Sequence, residues 1–410
     1  MLEALLTGVL LGVISGLVPG IHNNTFSALI ISYLPLLYLY FAPEEIAMVI
    51  FANAITHTFI DILPSIFIGV PDEDTALSVL PGHEMVLEGR GFHAVTLSAI
   101  SSFLSFLIAM FLFILLFSSG KWFWNVVSSL TPLFLTSIIV FLLASEKKDI
   151  YAPPLNIWLK RFLALTILTF SGIIGYFSFM YSYLIEIRGG SSVFIPMMLG
   201  FFAVPVISSS IKTSKLPKQS ISINIMPIRL KHIITGCFSG FLVSLFPGVS
   251  SGIAAVISAR GTERENYLLA VSGANTSNAL LCFAVLFTSG KTRSGAASAF
   301  REVIGFSINF NEVLNLLIVG FVVALLAFTI TLILGAGFSK AVNRLENFSR
   351  ISTILLIFFP VYTFFMTGIL GLVILIFSSA TGLLSLRWDV KRVYCMGCII
   401  IPVLLKYLIV

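Results

Sequence analysis

The stretch GVLLGVISGLVPG at residues 8–20 recurs 228 positions later as GCFSGFLVSLFPG at residues 236–248. Five of the 13 aligned positions are identical, and both copies end in Pro-Gly. Proline and glycine end an apolar helical pattern, and small residues four apart favour close helix packing. The chain is therefore predicted to contain an internal repeat in which each copy opens with a tightly packed apolar helix and a Pro-Gly tip.

The composition around this repeat indicates a membrane protein. Of 410 residues, 58% are hydrophobic before glycine is counted and 10% are charged, and the mean hydropathy is +1.05. Soluble chains have roughly 45–50% apolar residues with glycine included and roughly 25% charged residues. The fold class is therefore predicted to be an all-α polytopic membrane protein. A disordered chain, a nucleic-acid binder and a secreted disulfide scaffold are excluded.

Ten apolar runs are long enough to cross a ~30 Å hydrocarbon core, which takes about 20 residues. The repeated stretches differ, because each breaks at its Pro-Gly. The legs 233–246 and 250–259 would reach only ~21 and ~15 Å. Since hydrocarbon cannot satisfy exposed helix ends, both stretches, 1–41 and 233–259, are predicted to be re-entrant hairpins. The ten spans are 45–69, 93–118, 122–145, 162–184, 191–209, 266–288, 312–337, 351–367, 368–386 and 393–410, with a break placed at Thr367-Gly368.

The distribution of lysine and arginine predicts the orientation. Four basic segments should be cytoplasmic, namely 145–161, 211–231, 339–350 and 387–392. The net charge of +6 belongs mainly to these segments. Threading the spans then places both termini outside the cytoplasmic membrane of a prokaryotic cell. The predicted organisation is a first repeat at 1–210, a basic linker at 211–231 and a second repeat at 232–410.

Each copy holds one hairpin and five spans. Because five is odd, the second copy is predicted to be inverted relative to the first. Inverted repeats with broken helices are typical of secondary transporters. A channel or a membrane enzyme that retains an ancient duplication is the alternative. A second, weaker match at an offset of 220 pairs Ala54 with Ala274 and Thr56 with Thr276.

The two tips are candidate anion-binding elements. Each ends one helix and begins another, so its N–H groups and the next helix N-terminus carry partial positive charge. Hydroxyl, amide and imidazole side chains add donors. Simple capping of the second legs is the other interpretation. The candidate substrate-binding residues are Gly20, His22, Asn23, Asn24 and Thr25 in the first tip, and Gly248, Ser250, Ser251 and Gly252 in the second.

Asn53, His57 and Asp61 lie at i, i+4 and i+8 on one face of the span 45–69. Ionisable residues inside a span are costly and are functional candidates, and histidine titrates near physiological pH. These residues are predicted to serve the coupling ion, a proton or sodium; a purely structural polar contact is the alternative. Asp72 and Asp74, in the acidic loop GVPDEDTA at 69–76, are grouped with them.

Lys291 and Arg293 occupy the corresponding loop of the second copy, SGKTRSGA at 289–296. The topology places this basic loop outside, against the positive-inside tendency, whereas the acidic loop lies inside. Arginine binds carboxylate or phosphate with two parallel hydrogen bonds. The two residues are therefore candidates for contact with an anionic substrate, with ordinary loop charge as the alternative.

Neither a metal site nor an organic cofactor is predicted. The four cysteines are Cys237, Cys282, Cys395 and Cys398, and only the last two form a CxxC pair, within an apolar helix. A single CxxC is a weak metal or redox signal, so the cysteines are expected to be packing residues. A membrane hydrolase is disfavoured, because no nucleophile and base form a credible constellation.

Several motifs together resemble the TctA family, the large permease subunit of tripartite tricarboxylate transporters, and in particular its archaeal-type branch. These motifs are PGIHNNT (19–25), GVPDEDTALSVLPGH (69–83), FPGVSSG (246–252), GKTRSGA (290–296) and VKRVYCMGCIIIPVLL (390–405). The resemblance spans nearly the whole chain. It implies a duplicated transporter of organic anions, with a small membrane subunit and an extracytoplasmic binding protein as partners.

The expected function is secondary transport of an anion, with an organic carboxylate as the substrate. The chain has no nucleotide-binding motif, which argues against direct use of ATP. PGVSSG also resembles PGVSGG of a bacterial family implicated in returning polyprenyl-phosphate lipid carriers across the membrane. The alternative function is therefore a polyprenyl-phosphate flippase, since a lipid phosphate would suit the same tips and cations. The partners are otherwise the bilayer and the anion, with no nucleic acid.

Overall fold

The computed structural model describes residues 1–18, 23–69, 79–119, 121–146, 154–185, 193–210, 216–221, 230–247, 249, 253, 263–344 and 348–409. These residues form helices joined by irregular connections and contain no β-strand. Seven of the described helices are long and apolar enough to cross a membrane. The predicted all-α polytopic fold class is confirmed. The proposed division into two repeats and a linker stays a prediction.

The helices follow the chain in this order: α1 Leu2–Leu17, α2 Asn23–Leu37, α3 Pro43–Ile60, α4 Ile62–Phe67, α5 Val79–Leu87, α6 Gly91–Phe117, α7 Lys121–Ala144, α8 Pro154–Met180, α9 Ser182–Ile185, α10 Phe194–Met198, α11 Val204–Ser210, α12 Leu230–Leu245, α13 Arg264–Ser289, α14 Gly295–Ile304, α15 Phe310–Asn343, α16 Phe348–Arg387 and α17 Gly397–Ile409. A π-helical turn, Leu199–Ala203, joins α10 to α11, and a 3₁₀ turn, Arg392–Met396, precedes α17.

Eight of the ten predicted spans coincide with the long helices. The other two, 191–209 and 393–410, are less regular, because the π turn interrupts the first and the 3₁₀ turn opens the second. The π turn lies where α10 and α11 pack closely on α16. A Cβ atom on its Gly200 would collide with Ser378 and Ser379.

The 40-residue α16 is two helices, divided at Gly368. Gly368 has φ +68° and ψ −161°, a conformation almost confined to glycine. A Cβ atom on Gly371 would lie 3.4 Å from Cγ2 of Thr363. Eight residues of continuous helix would separate these positions by ~12 Å, so the chain reverses between them. The predicted break at Thr367-Gly368 is confirmed.

The glycines of the first repeated stretch pack α1 directly on α3. Added Cβ atoms on Gly8, Gly12 and Gly16 would clash successively with Ala52, Thr56 and Ile60. Because the residue numbers in contact increase together along the two helices, α1 and α3 run parallel. Only five residues separate α2 from α3, so α2 must return to the end at which α3 begins. The pair α1 and α2 therefore enters and leaves at one end of the bundle, as the hairpin hypothesis requires.

The second repeated stretch makes the same kind of contact. Gly236 of α12 lies against Ala270 of α13, and Gly240 lies against Ala274 and Ser277, so α12 and α13 also run parallel. The two pairs point in opposite directions, because α3 and α13 are antiparallel. Two contacts establish this: Phe51 meets Phe283, with ring centroids 5.0 Å apart, and Asp61 meets Asn275. Inversion of the complete halves stays a prediction.

Contacts between distant segments bring parts of the four basic segments to one end of the bundle. Lys391 donates to the Ser145 carbonyl at 2.8 Å, and Lys160 pairs with Asp389 at 2.8 Å. The backbone N–H of Gln219 donates to the side chain of Asn343 at 2.5 Å. The two pairs of segments meet at α5, because its Glu84 lies near Arg392 and Gly89, just after it, accepts a hydrogen bond from Ser220. This end is called the basic end below. Its assignment to the cytoplasm stays a prediction. The four cysteines form no disulfide with one another and are buried in the hydrophobic core, as expected of packing residues.

Candidate functional site

The polar stripe of α3 lies in the interior of the bundle. Asn53, His57 and Asp61 are at most 3% exposed, and α3 is surrounded by α1, α13, α14 and α15. Buried polar and ionisable groups need partners, and inside a membrane protein they mark functional positions. The stripe is therefore the centre of the candidate site.

Ser15 of α1 joins two members of the stripe. The Asn53 side-chain amide donates to Ser15 Oγ at 3.2 Å, and Ser15 Oγ lies 3.0 Å from Nδ1 of His57. The same hydroxyl lies 3.2 Å from the Gly12 carbonyl, to which it can donate. These contacts confirm that Asn53 and His57 share one face of α3. They depend on the close approach of α1, since a side chain at Gly12 would meet Thr56 and Asn53.

Asp61 connects the stripe to the second half of the chain. It lies at the junction of α3 and α4, and its Oδ2 accepts a 2.8 Å hydrogen bond from the side-chain amide of Asn275. Asn275 is on α13, which is almost entirely buried and antiparallel to α3. A carboxylate beside a donor amide can hold a negative charge, receive a proton or bind a cation. Any change in its charge would act on both central helices at once.

Two further oxygens of the stripe are available for a ligand. Oδ1 of Asn53 and Oγ1 of Thr56 are buried without a hydrogen-bond partner within the described residues. Helical threonines usually donate to the carbonyl four residues back, as Thr96 and Thr131 do here. Thr56 makes no such bond. Asn53 and Thr56, three residues apart on α3, therefore both have an oxygen that can bind water or a cation.

Lys291 and Arg293 lie beyond the last turn of α13, away from the stripe. Gly290 ends that helix with φ +68°, and Lys291 Nζ then donates to Oγ of Ser128 at 2.6 Å. Arg293 is half-buried, and its Nε has no hydrogen-bond partner in the described part of the chain. Asn275 lies ~21 Å from the end of α13 along the helix axis. The structure therefore does not bring these cations to the stripe, and their contact with a substrate stays a prediction.

Most of the predicted tip residues fall outside the described residues, and the anion site at the tips stays a prediction. These are Gly20, His22, Gly248, Ser250, Ser251 and Gly252, together with Asp72 and Asp74 of the acidic loop. Asn23, Asn24 and Thr25 form the first turn of α2, with side chains outside the description. The described residues contain no group of three or more His, Cys, Asp or Glu suited to a metal ion.

Sequence reasoning missed Ser15 and Asn275. Ser15 lies within the glycine-rich stretch that was assigned to packing alone, beside Gly16. Asn275 is a polar residue in mid-span, between two positions of the weaker repeat match, Ala274 and Thr276. Both were visible as polar residues in apolar runs, but their partners become evident only when the helices are packed.

In this bundle α1 packs parallel to α3, α12 packs parallel to α13, and the central helices α3 and α13 are antiparallel around a buried ionisable stripe. These features are typical of polytopic membrane proteins that carry solutes. The chain belongs to the tripartite tricarboxylate transporter TctA family, whose sequence profile matches residues 2–397. It is also 26% identical to an uncharacterized protein of Methanocaldococcus jannaschii over 421 aligned positions, which cover 98% of each chain. No solved structure matches. The expected resemblance to the family is confirmed.

Proposed function

We propose that this protein is the membrane permease of a secondary transporter that moves an organic carboxylate across the cytoplasmic membrane, driven by a proton or sodium gradient. The observation that carries the proposal is the hydrogen bond between Asp61 and Asn275. It places a buried carboxylate between two antiparallel central helices, where ion binding can be coupled to helix movement. Membership of a transporter family supports the same class of activity.

The His57 environment is suited to a proton. When His57 is neutral with Nδ1 unprotonated, the Ser15 hydroxyl can donate to it. When Nδ1 carries a proton, Ser15 can accept that proton and donate instead to the Gly12 carbonyl. A hydroxyl has one donor and two acceptor positions, so it can still accept from Asn53 in both states. Protonation thus needs only a hydroxyl rotation, and no buried group loses its hydrogen bond.

Few other charged groups lie near His57 and Asp61. On the helices packed against α3, the charged side chains of the described residues lie near helix ends, among them Glu3 of α1, Glu265 of α13 and Glu312 of α15. Asp61, one turn from His57, is the carboxylate placed to respond to its charge. A sodium ion could instead use the oxygens of Asn53 and Thr56, which have no hydrogen-bond partner within the described residues.

The partners follow from the family rather than from the stripe. TctA proteins are the large subunits of tripartite transporters, so we propose a small membrane subunit and an extracytoplasmic binding protein for this chain. Both termini are proposed to lie outside the cell. The carboxylate is proposed to bind between the two tips, with Lys291 and Arg293 attracting it from the outer end.

The test is uptake of labelled citrate into proteoliposomes under an imposed proton or sodium gradient. Accumulation that requires one gradient is expected, and its absence for citrate and for other di- and tricarboxylates would contradict the proposal. Mass spectrometry of lipids that co-purify with the protein tests the alternative. A bound polyprenyl phosphate would replace the carboxylate with a lipid phosphate as the substrate.

A further inference from the structure

Arg392 is the one buried lysine or arginine within the described residues, with 9% of its surface exposed. Its Nη1 is buried and has no hydrogen-bond partner there. A buried guanidinium nitrogen without a partner is costly, because water is removed without replacement of its hydrogen bond. Such a group is expected to have a partner during some part of the protein's working cycle.

Three carboxylates at the basic end, Glu84, Glu88 and Glu265, are already paired with other arginines. Arg264 pairs with Glu84, at 2.8 Å, and with Glu88, and Arg90 pairs with Glu265. The titratable groups close enough to interact electrostatically with Arg392 are Cys395, Tyr267 and Glu84. Of these, only Glu84 is acidic in the ordinary range, and it is bound to Arg264. Within the described residues, Arg392 therefore has no neighbouring carboxylate that is not bound to another arginine.

The segment that carries Arg392 is held firmly in place. The neighbouring Lys391 is bound to Ser145, and the hydroxyl of Tyr394 donates to the Leu142 carbonyl at 2.8 Å. Ser171 in turn donates to the Tyr394 carbonyl at 2.9 Å. Residues 394–396 are fully buried. A side chain on such a rigid segment is pre-organised, so little order is lost when a ligand binds.

We propose that Arg392 binds a carboxylate group of the transported substrate at the basic end of the bundle. The planar guanidinium matches a carboxylate with two parallel hydrogen bonds. Tyr267, close to Arg392, lies in the first turn of α13, and Arg293 follows its last turn. The central helix α13 thus has an incompletely hydrogen-bonded arginine near each of its ends. The helix rises ~33 Å from Tyr267 to its last residue, Ser289. This inference rests on the proposed anion transport and adds a second binding position to it.

The test is thermal unfolding of the purified full chain with and without citrate, with inorganic phosphate as a second anion and chloride at equal ionic strength as the blank. Citrate is expected to raise the melting temperature of the wild type. Arg392→Met should melt higher than the wild type without ligand, since it removes a buried guanidinium whose Nη1 has no hydrogen-bond partner within the described residues. It should bind citrate about 10- to 150-fold more weakly, the loss expected for a charged hydrogen bond. Arg392→Lys should recover only part of that affinity.

Arg264→Met is the matched control, because Arg264 is a paired arginine at the same end. It should melt lower than the wild type and keep its response to citrate. If Arg392→Met melts as low as Arg264→Met, Arg392 has an internal partner and the inference is wrong. An undiminished citrate response in Arg392→Met would also overturn it while leaving the proposed function intact. A wild type that responds to no carboxylate would overturn the proposed function too, and a response to phosphate alone would overturn the carboxylate assignment.

Discussion

The two glycine-lined helix pairs, α1 with α3 and α12 with α13, approach each other in the same way but bury different chemistry. The first pair buries His57 and Asp61 together with Ser15 and Asn53. At the second contact Ser277 donates to the Cys237 carbonyl, and no charged side chain of the described residues takes part. Repeated glycine spacing has reproduced the packing, whereas among the described residues the buried pair of His57 and Asp61 has no counterpart at the contacts of Gly236 and Gly240. The second copy reaches them through Asn275.

The largest effect is expected when the ionisable side chains of the first pair, α1 with α3, are replaced. Asp61→Asn should abolish gradient-driven accumulation in proteoliposomes, because the buried carboxylate can no longer take up the coupling ion, while the protein still folds. His57→Ala should do the same. Thr331→Val is the control, since Thr331 is buried on the neighbouring α15 but bonds mainly to its own helix. Unchanged proton and sodium dependence in both stripe variants would mean that the stripe is only structural.

The shared packing predicts equal sensitivity of the two contacts. Gly12→Ala and Gly240→Ala should each lower stability by about 1–3 kcal/mol, the usual effect of overpacking. At both positions a Cβ atom would overlap the partner helix. Gly337→Ala, where a Cβ atom meets nothing within 4 Å, is the control. Denaturation in detergent measures all three, and a large difference between the first two would contradict the equivalence of the pairs.

Removing Asn275 tests the link between the copies. Asn275→Ala should cost about 1.5–3 kcal/mol of folding stability, since a charged acceptor loses a donor. It should also weaken coupling more than it weakens citrate binding. Asn278→Ala, one turn further along α13, serves for comparison. If the two variants lose coupling to the same extent, Asp61 does not act through Asn275.

The smallest effect is expected at Ser15. Ser15→Ala should cost about 0.5–1.5 kcal/mol, as for a neutral hydrogen bond, and should change the pH profile of transport. The change is expected because His57 loses the hydroxyl that accommodates both of its protonation states. Ser239→Ala on α12, whose hydroxyl bonds within its own helix, should leave the profile unaltered. If Ser15→Ala has the same pH profile of transport as the wild type, Ser15 takes no part in binding the proton.

Local patterns predicted much of the fold, because apolar length, Pro-Gly breaks and glycine spacing act within single helices. They placed the break at Gly368, the close packing of Gly12 and the shared face of Asn53 and His57. They could not predict Asn275 as the partner of Asp61, since that contact depends on how α3 and α13 are rotated about their axes. Arg392 was counted as one more basic loop residue. Its burial depends on how distant helices pack around it, and its missing partner depends on which arginines the nearby carboxylates pair with.

Gly368 determines more than a bend. A straight 40-residue helix would be ~60 Å long, about twice the hydrocarbon thickness, and would cross the membrane once. The reversal at Gly368 turns the same residues into two crossings. Every segment that follows, Arg392 included, therefore emerges on the side from which α16 began. Because its backbone conformation is almost confined to glycine, this single residue determines at which end of the bundle Arg392 lies.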